Sequence, residues 1–148
     1  MSLWSNLWSD LFWVVPLVGI VTLLVVWSYY RQIKKADPGN EKMQEIQHAI
    51  RTGAFAFIRR EYTSVAWVLL IAVPIIYFTL DLPTLVTFLI GAFLSLLAGL
   101  IGMNAATLAN VRTANAAKNG TVAALQIAFP AGAIMGLTVV GLNLIGIS

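Results

Sequence analysis

Apolar residues run through this chain in four long stretches, 11–30, 62–80, 82–111 and 119–148, and none of the four contains an Asp, Glu, Lys or Arg. A helix rising about 1.5 Å per residue crosses a hydrocarbon core of ~30 Å in roughly 20 residues. The pattern therefore predicts an all-α integral membrane protein with four transmembrane helices, at about 11–30, 62–80, 84–107 and 122–147. Residues 31–61 and 108–121 are left as polar connections. The uncharged runs 82–111 and 119–148 exceed the core thickness, so the third and fourth helices are expected to tilt or project beyond it.

Aromatic residues mark the two interfaces of the first span. Trp4, Trp8 and Trp13 lie at its start and Trp27, Tyr29 and Tyr30 at its end, where amphipathic rings settle at headgroup level. Ala36-Asp37-Pro38-Gly39-Asn40 then has the composition of a turn. From Glu41 to about Arg60, apolar residues recur at Met43, Ile46, Ala49, Ile50, Gly53, Ala54, Phe57 and Ile58, spaced by three and four. This is the period of an amphipathic helix, and it leads directly into the second span. Asp81-Leu82-Pro83-Thr84 is short enough to force an antiparallel hairpin between spans two and three. Pro130 is expected to kink the fourth.

Charge sets an orientation. All nine Lys and Arg fall in two segments: Arg31, Lys34, Lys35, Lys42, Arg51, Arg59 and Arg60 in the first, Arg112 and Lys118 in the second. By the positive-inside rule both are cytoplasmic, which places the N-terminus, the Asp81 hairpin and the C-terminus on the opposite side. Topology accounts for a pI near 9.5, so the charge calls for no nucleic-acid partner. Met1–Asp10 lacks the basic residues of a secretory n-region, so the first span is expected to remain as an anchor. A hydrophobic content of 59%, with 10% charged residues, leaves no room for a soluble helical protein of this length.

Small residues supply the expected packing faces. Gly91, Ser95 and Gly99 recur every fourth position in span three, followed by Gly102, and Ala128, Gly132 and Gly136 do the same in span four. Such stripes let helix backbones approach closely. Asn104, Asn110, Gln126, Thr138 and Asn143 are the deepest polar residues and are expected to form interhelical hydrogen bonds. Proton relays and ion paths are built from ionisable side chains inside the membrane, and these spans have none. The sequence also lacks cysteine, a phosphate loop, a zinc signature and a cluster of aspartates fit for magnesium. His48 is the one histidine and has no second ligand beside it.

Three blocks carry a family resemblance. They are Gly39 to Tyr62, with Gln47-His48-Ala49-Ile50-Arg51-Thr52-Gly53-Ala54 at its centre; Gly91 to Met103 running on to Ala109-Asn110-Val111-Arg112-Thr113-Ala114; and Ala124 to Phe129 followed by Gly132 to Gly136. In order and spacing they resemble the N-terminal part of the membrane-bound, ion-pumping inorganic pyrophosphatases. The resemblance implies a homodimeric pump of the prokaryotic plasma membrane that hydrolyses magnesium pyrophosphate and moves H⁺ or Na⁺, with K⁺ a further cofactor in some members. An inner ring of helices surrounds the ion path and an outer ring encloses it.

This chain would correspond to the first four helices, all outer-ring, with the Mg²⁺-binding and catalytic residues on later helices. No residue here is then catalytic or metal-binding. Arg112 and Lys118 are the residues placed to influence a negatively charged substrate without touching it. The chain departs from the family where it carries Asn104 and Leu108 instead of basic residues, and Pro130-Ala131 instead of an Arg followed by a small residue. A self-contained four-helix assembly or scaffold protein is the alternative reading.

Overall fold

The computed structural model describes Ser2–Ile147, with side chains from Trp13 onward. Trp4 and Trp8, expected at the outer interface, lie outside the described side chains. The chain forms α1 (Ser2–Lys35), α2 (Glu41–Thr79), α3 (Leu82–Ala116) and α4 (Thr121–Ile147), with a single 3-10 turn at Ala117–Asn119. By length and composition these four helices can cross a membrane.

One connection is the helix expected from Glu41, running on into the second span, and the other is more helical than the hydropathy pattern implied. The amphipathic segment and the second span form one uninterrupted helix of 39 residues, about 58 Å long at 1.5 Å per residue. Nothing between Glu41 and Pro74 breaks it. At its start Asn40 accepts from the Met43 amide at 3.0 Å, the capping geometry that satisfies an otherwise unpaired N–H. The loop expected from 108 is also mostly helix, because α3 continues to Ala116. Hydropathy falls at Arg112, but Ala109, Ala114 and Ala116 are strong helix formers. The chain turns only at Gly120, whose φ of +109° is open to glycine alone without strain.

α4 lies between α1 and α3, and α2 packs on α3 alone. The core is where the three meet: Val26 and Ile33 of α1, Ala105 and Ala109 of α3, and Ala131 and Ile134 of α4 are buried together. On α2, Ile58 is the buried residue. Tyr62 ties α2 to α3 by donating its hydroxyl hydrogen bond to the Leu96 carbonyl. The remaining surface is apolar; Phe78, for example, is 83% exposed. In water such a surface would aggregate, whereas lipid solvates it.

Buried polar groups are paired. Thr138 is fully buried and donates to the Ile134 carbonyl at 2.6 Å, and Thr107 donates to Met103 at 2.9 Å. Thr138 was expected to bridge helices; it bonds within its own helix instead, the usual resort of a hydroxyl with an i−4 carbonyl in reach.

Among the glycines, the pair that meets backbone to backbone is one the small-residue stripes did not include. A Cβ placed on Gly19 would lie 2.8 Å from Ile145 Cγ1 and 2.9 Å from the Gly141 carbonyl oxygen, and one on Gly141 would lie 3.1 Å from the Gly19 oxygen. These backbones touch. Gly19→Leu should therefore lower the detergent melting temperature by the equivalent of about 1–3 kcal/mol, the usual cost of overpacking. Gly136→Leu, whose Cβ would meet nothing within 4 Å in this chain, should leave helix packing within these four helices unchanged. An unchanged melting temperature in Gly19→Leu would mean that the α1–α4 contact is looser than this.

Candidate functional site

Most of the interhelical polar contacts gather at the basic end of the bundle, beginning at the turn between α1 and α2. Gly39 adopts φ +82°, its amide donates to Asp37 Oδ1 at 2.9 Å, and its carbonyl accepts from Gln44 Nε2 at 3.0 Å. This is an Asx turn closed by the first turn of α2. A Cβ at Gly39 would stand 2.6 Å from Met43 Sδ and 3.1 Å from the Asn115 side chain, so both conformation and space require glycine.

The end of α3 grips this turn. Arg112 Nε donates to the Ala36 carbonyl at 3.1 Å and Nη1 to the Leu108 carbonyl at 2.8 Å. Asn115 Nδ2 donates to the Asp37 carbonyl at 3.4 Å. Lys118 Nζ donates to Asn115 Oδ1 at 3.0 Å and approaches Met43 Sδ at 3.5 Å. Arg112 and Lys118, the two candidates for acting on an anionic substrate, are thus brought to one end of the bundle with donors turned onto this chain's own acceptors. A guanidinium that satisfies the carbonyl of a helix's last turn and one of its own helix holds two elements together.

About two turns deeper lies a second crossing. Arg51 Nη2 donates to Asn104 Oδ1 at 3.1 Å, and Asn104 Nδ2 reaches the Tyr30 hydroxyl at 3.5 Å. Asn104 occupies a position where the resemblance leads one to expect a basic residue. An amide has both a donor and an acceptor, so it joins an arginine on α2 to a tyrosine on α1, which a second cation could not do. On the far side of α1, Gln32 Nε2 donates to the Gln126 carbonyl at 3.3 Å.

The expected packing residues divide into two groups. Gly102 meets Met135, whose Cγ would be 2.8 Å from an added Cβ, and Gly99 meets the Tyr62 hydroxyl at 3.2 Å. Gly91, Gly132 and Gly136 have nothing within 4 Å of an added Cβ. Ala128 and Gly132 line a shallow groove of about 500 Å³ with Gly102 and Met135, and Ser95 and Gly99 line another of about 290 Å³ with Val139 and Asn143. Sequence reasoning missed Gly19 and Gly141. The available signal was the buried series Ala131, Ile134, Thr138, Gly141, spaced by three and four, which marks a different face of α4 from the every-fourth series 128, 132, 136.

Magnesium binding needs several oxygen ligands, chiefly carboxylates. Among the described residues no three His, Cys, Asp or Glu side chains come together in a group that could hold a metal ion. The described residues do not fit a magnesium site.

A bundle of four membrane-length apolar helices with its basic residues at one end defines a polytopic membrane protein. The chain belongs to the family described as inorganic H+ pyrophosphatase, whose profile matches residues 20–148. It is 44% identical over 140 residues to the K(+)-insensitive pyrophosphate-energized proton pump of Methanosarcina mazei, covering 93% of this chain and 21% of that protein. It is 39% identical over 146 residues to a Bacteroides thetaiotaomicron protein provisionally named a K(+)-stimulated pyrophosphate-energized sodium pump, covering 95% of this chain and 20% of that one. A Moorella thermoacetica proton pump of the K(+)-insensitive kind is 42% identical over 140 residues, covering 94% of this chain and 20% of the relative. The chain spans about a fifth of the length of these curated relatives.

Gly39→Ala tests the grip. Forcing a Cβ into the left-handed region costs about 1–2 kcal/mol, and the Met43 contact adds to it. The variant should expose the segment around Asp37 to limited proteolysis and speed amide exchange at Gly39 to Met43, with little change in the melting of the α1–α4 contact. Unchanged protection would mean that the turn is held by something other than Arg112, Asn115 and Lys118.

Proposed function

We propose that this chain is the N-terminal, outer-ring part of a pyrophosphate-driven H⁺ or Na⁺ pump and that its role there is structural. The observation that carries the reading is the family match over most of a chain that spans only a fifth of its relatives and whose membrane-spanning stretches contain no ionisable acid or base. An ion path needs such groups, so they belong to the remaining helices. Both termini lie on the non-cytoplasmic side and the basic end of the bundle on the cytoplasmic side, in a prokaryotic plasma membrane. The full pump is a homodimer that takes Mg²⁺, with K⁺ in some members, and none of these ions is bound by residues of this chain.

In this reading the open faces at Gly91, Gly132 and Gly136 receive inner-ring helices. The cytoplasmic part of α2 presents Ile46, Ile50 and Phe57, 47%, 39% and 60% exposed, to the hydrolytic region. Arg112 and Lys118 keep the α1–α2 turn in place and thereby fix where α2 enters the cytoplasm. Their charge adds to the field near the substrate entrance without direct contact.

The test is to purify, from its own membranes, the polypeptide that carries this sequence. The expected product has a mass several times 16.1 kDa and hydrolyses pyrophosphate only with Mg²⁺, while the 148-residue chain expressed alone gives no hydrolysis above empty membranes. A native product of 16.1 kDa with no pump polypeptide beside it would replace this reading with that of a separate assembly or scaffold protein.

A further inference from the structure

A groove of about 340 Å³ runs along the bundle between α1 and α3, lined by Leu23, Val26, Trp27, Tyr30, Ile101 and Asn104. Its character changes along its length. At one end it is aliphatic; at the other it reaches the Tyr30 hydroxyl and the Asn104 amide. Arg51 comes across from α2 to that polar end, with one N–H on Asn104 and its guanidinium 5.5 Å from the Phe55 ring. Arg31, one residue beyond Tyr30, lies 4.9 Å over the Trp27 ring. Among the described residues no Cα of α1 lies within 8 Å of one of α2, so at the polar end the two helices meet through Asn104 and not backbone to backbone.

Neither arginine pairs with a carboxylate among the described residues. Among the described residues the one ion pair is Lys42–Glu45. An apolar slot with two uncompensated guanidinium groups at its interfacial end complements one kind of molecule: an acyl chain joined to an anionic phosphate headgroup. An apolar helix from elsewhere in the polypeptide would leave two arginines desolvated without a counter-charge, which is costly. Basic pockets between membrane helices are an established way of holding anionic lipid, and the forked guanidinium suits a phosphate.

We propose that this groove is a binding site for a single anionic phospholipid. The acyl chain lies along Leu23, Val26, Trp27 and Ile101, and the phosphate sits between Arg31 and Arg51, within reach of Tyr30. The site requires that the four helices cross a membrane and does not depend on which reaction the whole protein performs.

The experiment uses the native polypeptide, delipidated in mild detergent and titrated with dioleoyl phosphatidylglycerol or dioleoyl phosphatidylcholine, with bound lipid counted by native mass spectrometry. Phosphatidylglycerol should be retained in preference to phosphatidylcholine. Arg31→Gln and Arg51→Gln should each weaken that retention roughly fivefold, Arg51→Lys should weaken it less, and Lys34→Gln with Lys35→Gln should not change it. A photoreactive residue at position 23 of the otherwise unaltered chain should label the lipid's acyl chain. Equal retention of the two lipids, an equal loss in the double lysine variant, or crosslinking from position 23 to a protein segment would each overturn the proposal. The first two outcomes would leave only diffuse surface attraction, and the third would assign the groove to another helix. The lipid-free melting temperature of each variant separates lost binding from lost folding.

Discussion

Lipid supplies no hydrophobic force between helices, so this bundle depends on how closely α4 approaches its two neighbours. Apolar side chains are as well solvated by acyl chains as by one another, and close van der Waals contact is what distinguishes a packed helix from a lipid-solvated one. Gly19 against Gly141 lets α1 and α4 meet at the backbone, and Gly102 lets Met135 fold onto α3. From these contacts follows the buried cluster of Val26, Ile33, Ala105, Ala109, Ala131 and Ile134. α2 has no such contact with α1 or α4. It is held by Ile58, by the Tyr62 hydroxyl on Leu96 and by Arg51 on Asn104, and it is correspondingly the most exposed of the four.

Helix identity was legible in the sequence because charge and hydropathy are strong signals when the solvent is lipid: every unpaired backbone group there is costly, so a long apolar run has only helical solutions. Element boundaries were less legible. Hydropathy reports where a membrane could end, not where a helix ends, and α3 continues past Arg112 because alanines carry it to Ala116. The continuity of α2 follows from the same distinction. Its amphipathic and apolar parts differ in surroundings, not in backbone.

The packing faces were half legible. Reading small residues at intervals of four found Gly99 and Gly102, which meet side chains of this chain, and Gly91, Gly132 and Gly136, which do not. It missed Gly19, a single glycine with no small partner four residues away. A close approach needs only one small residue on each helix at the crossing point, and on the α1 side such a coincidence leaves no period in the sequence. Arg112 and Lys118 were identifiable as charges at one end. That Arg112 binds the Ala36 carbonyl, while Lys118 binds Asn115 beside Met43, could not be read from their spacing, because it depends on the parallel register of α1 and α3 that α4 imposes.

That register also explains why the basic residues of one end divide into two kinds. Arg112 and Asn115 bind carbonyls of the α1–α2 turn, and Lys118 backs Asn115 beside Met43, so their polar groups are tied to keeping a connection in place. Arg31 and Arg51 sit nearer the hydrocarbon, where the available acceptors are one amide and two aromatic faces. A charge at that depth with only a ring beside it is less well compensated than one bound to carbonyl oxygens, since a cation–π contact is weak wherever water competes. The positive-inside pattern would be met equally well by residues farther out in the loop. Arginines held over an apolar groove therefore mark a place where topology alone does not account for the charge, and an anionic headgroup supplies the missing counter-charge without adding a carboxylate to the helices.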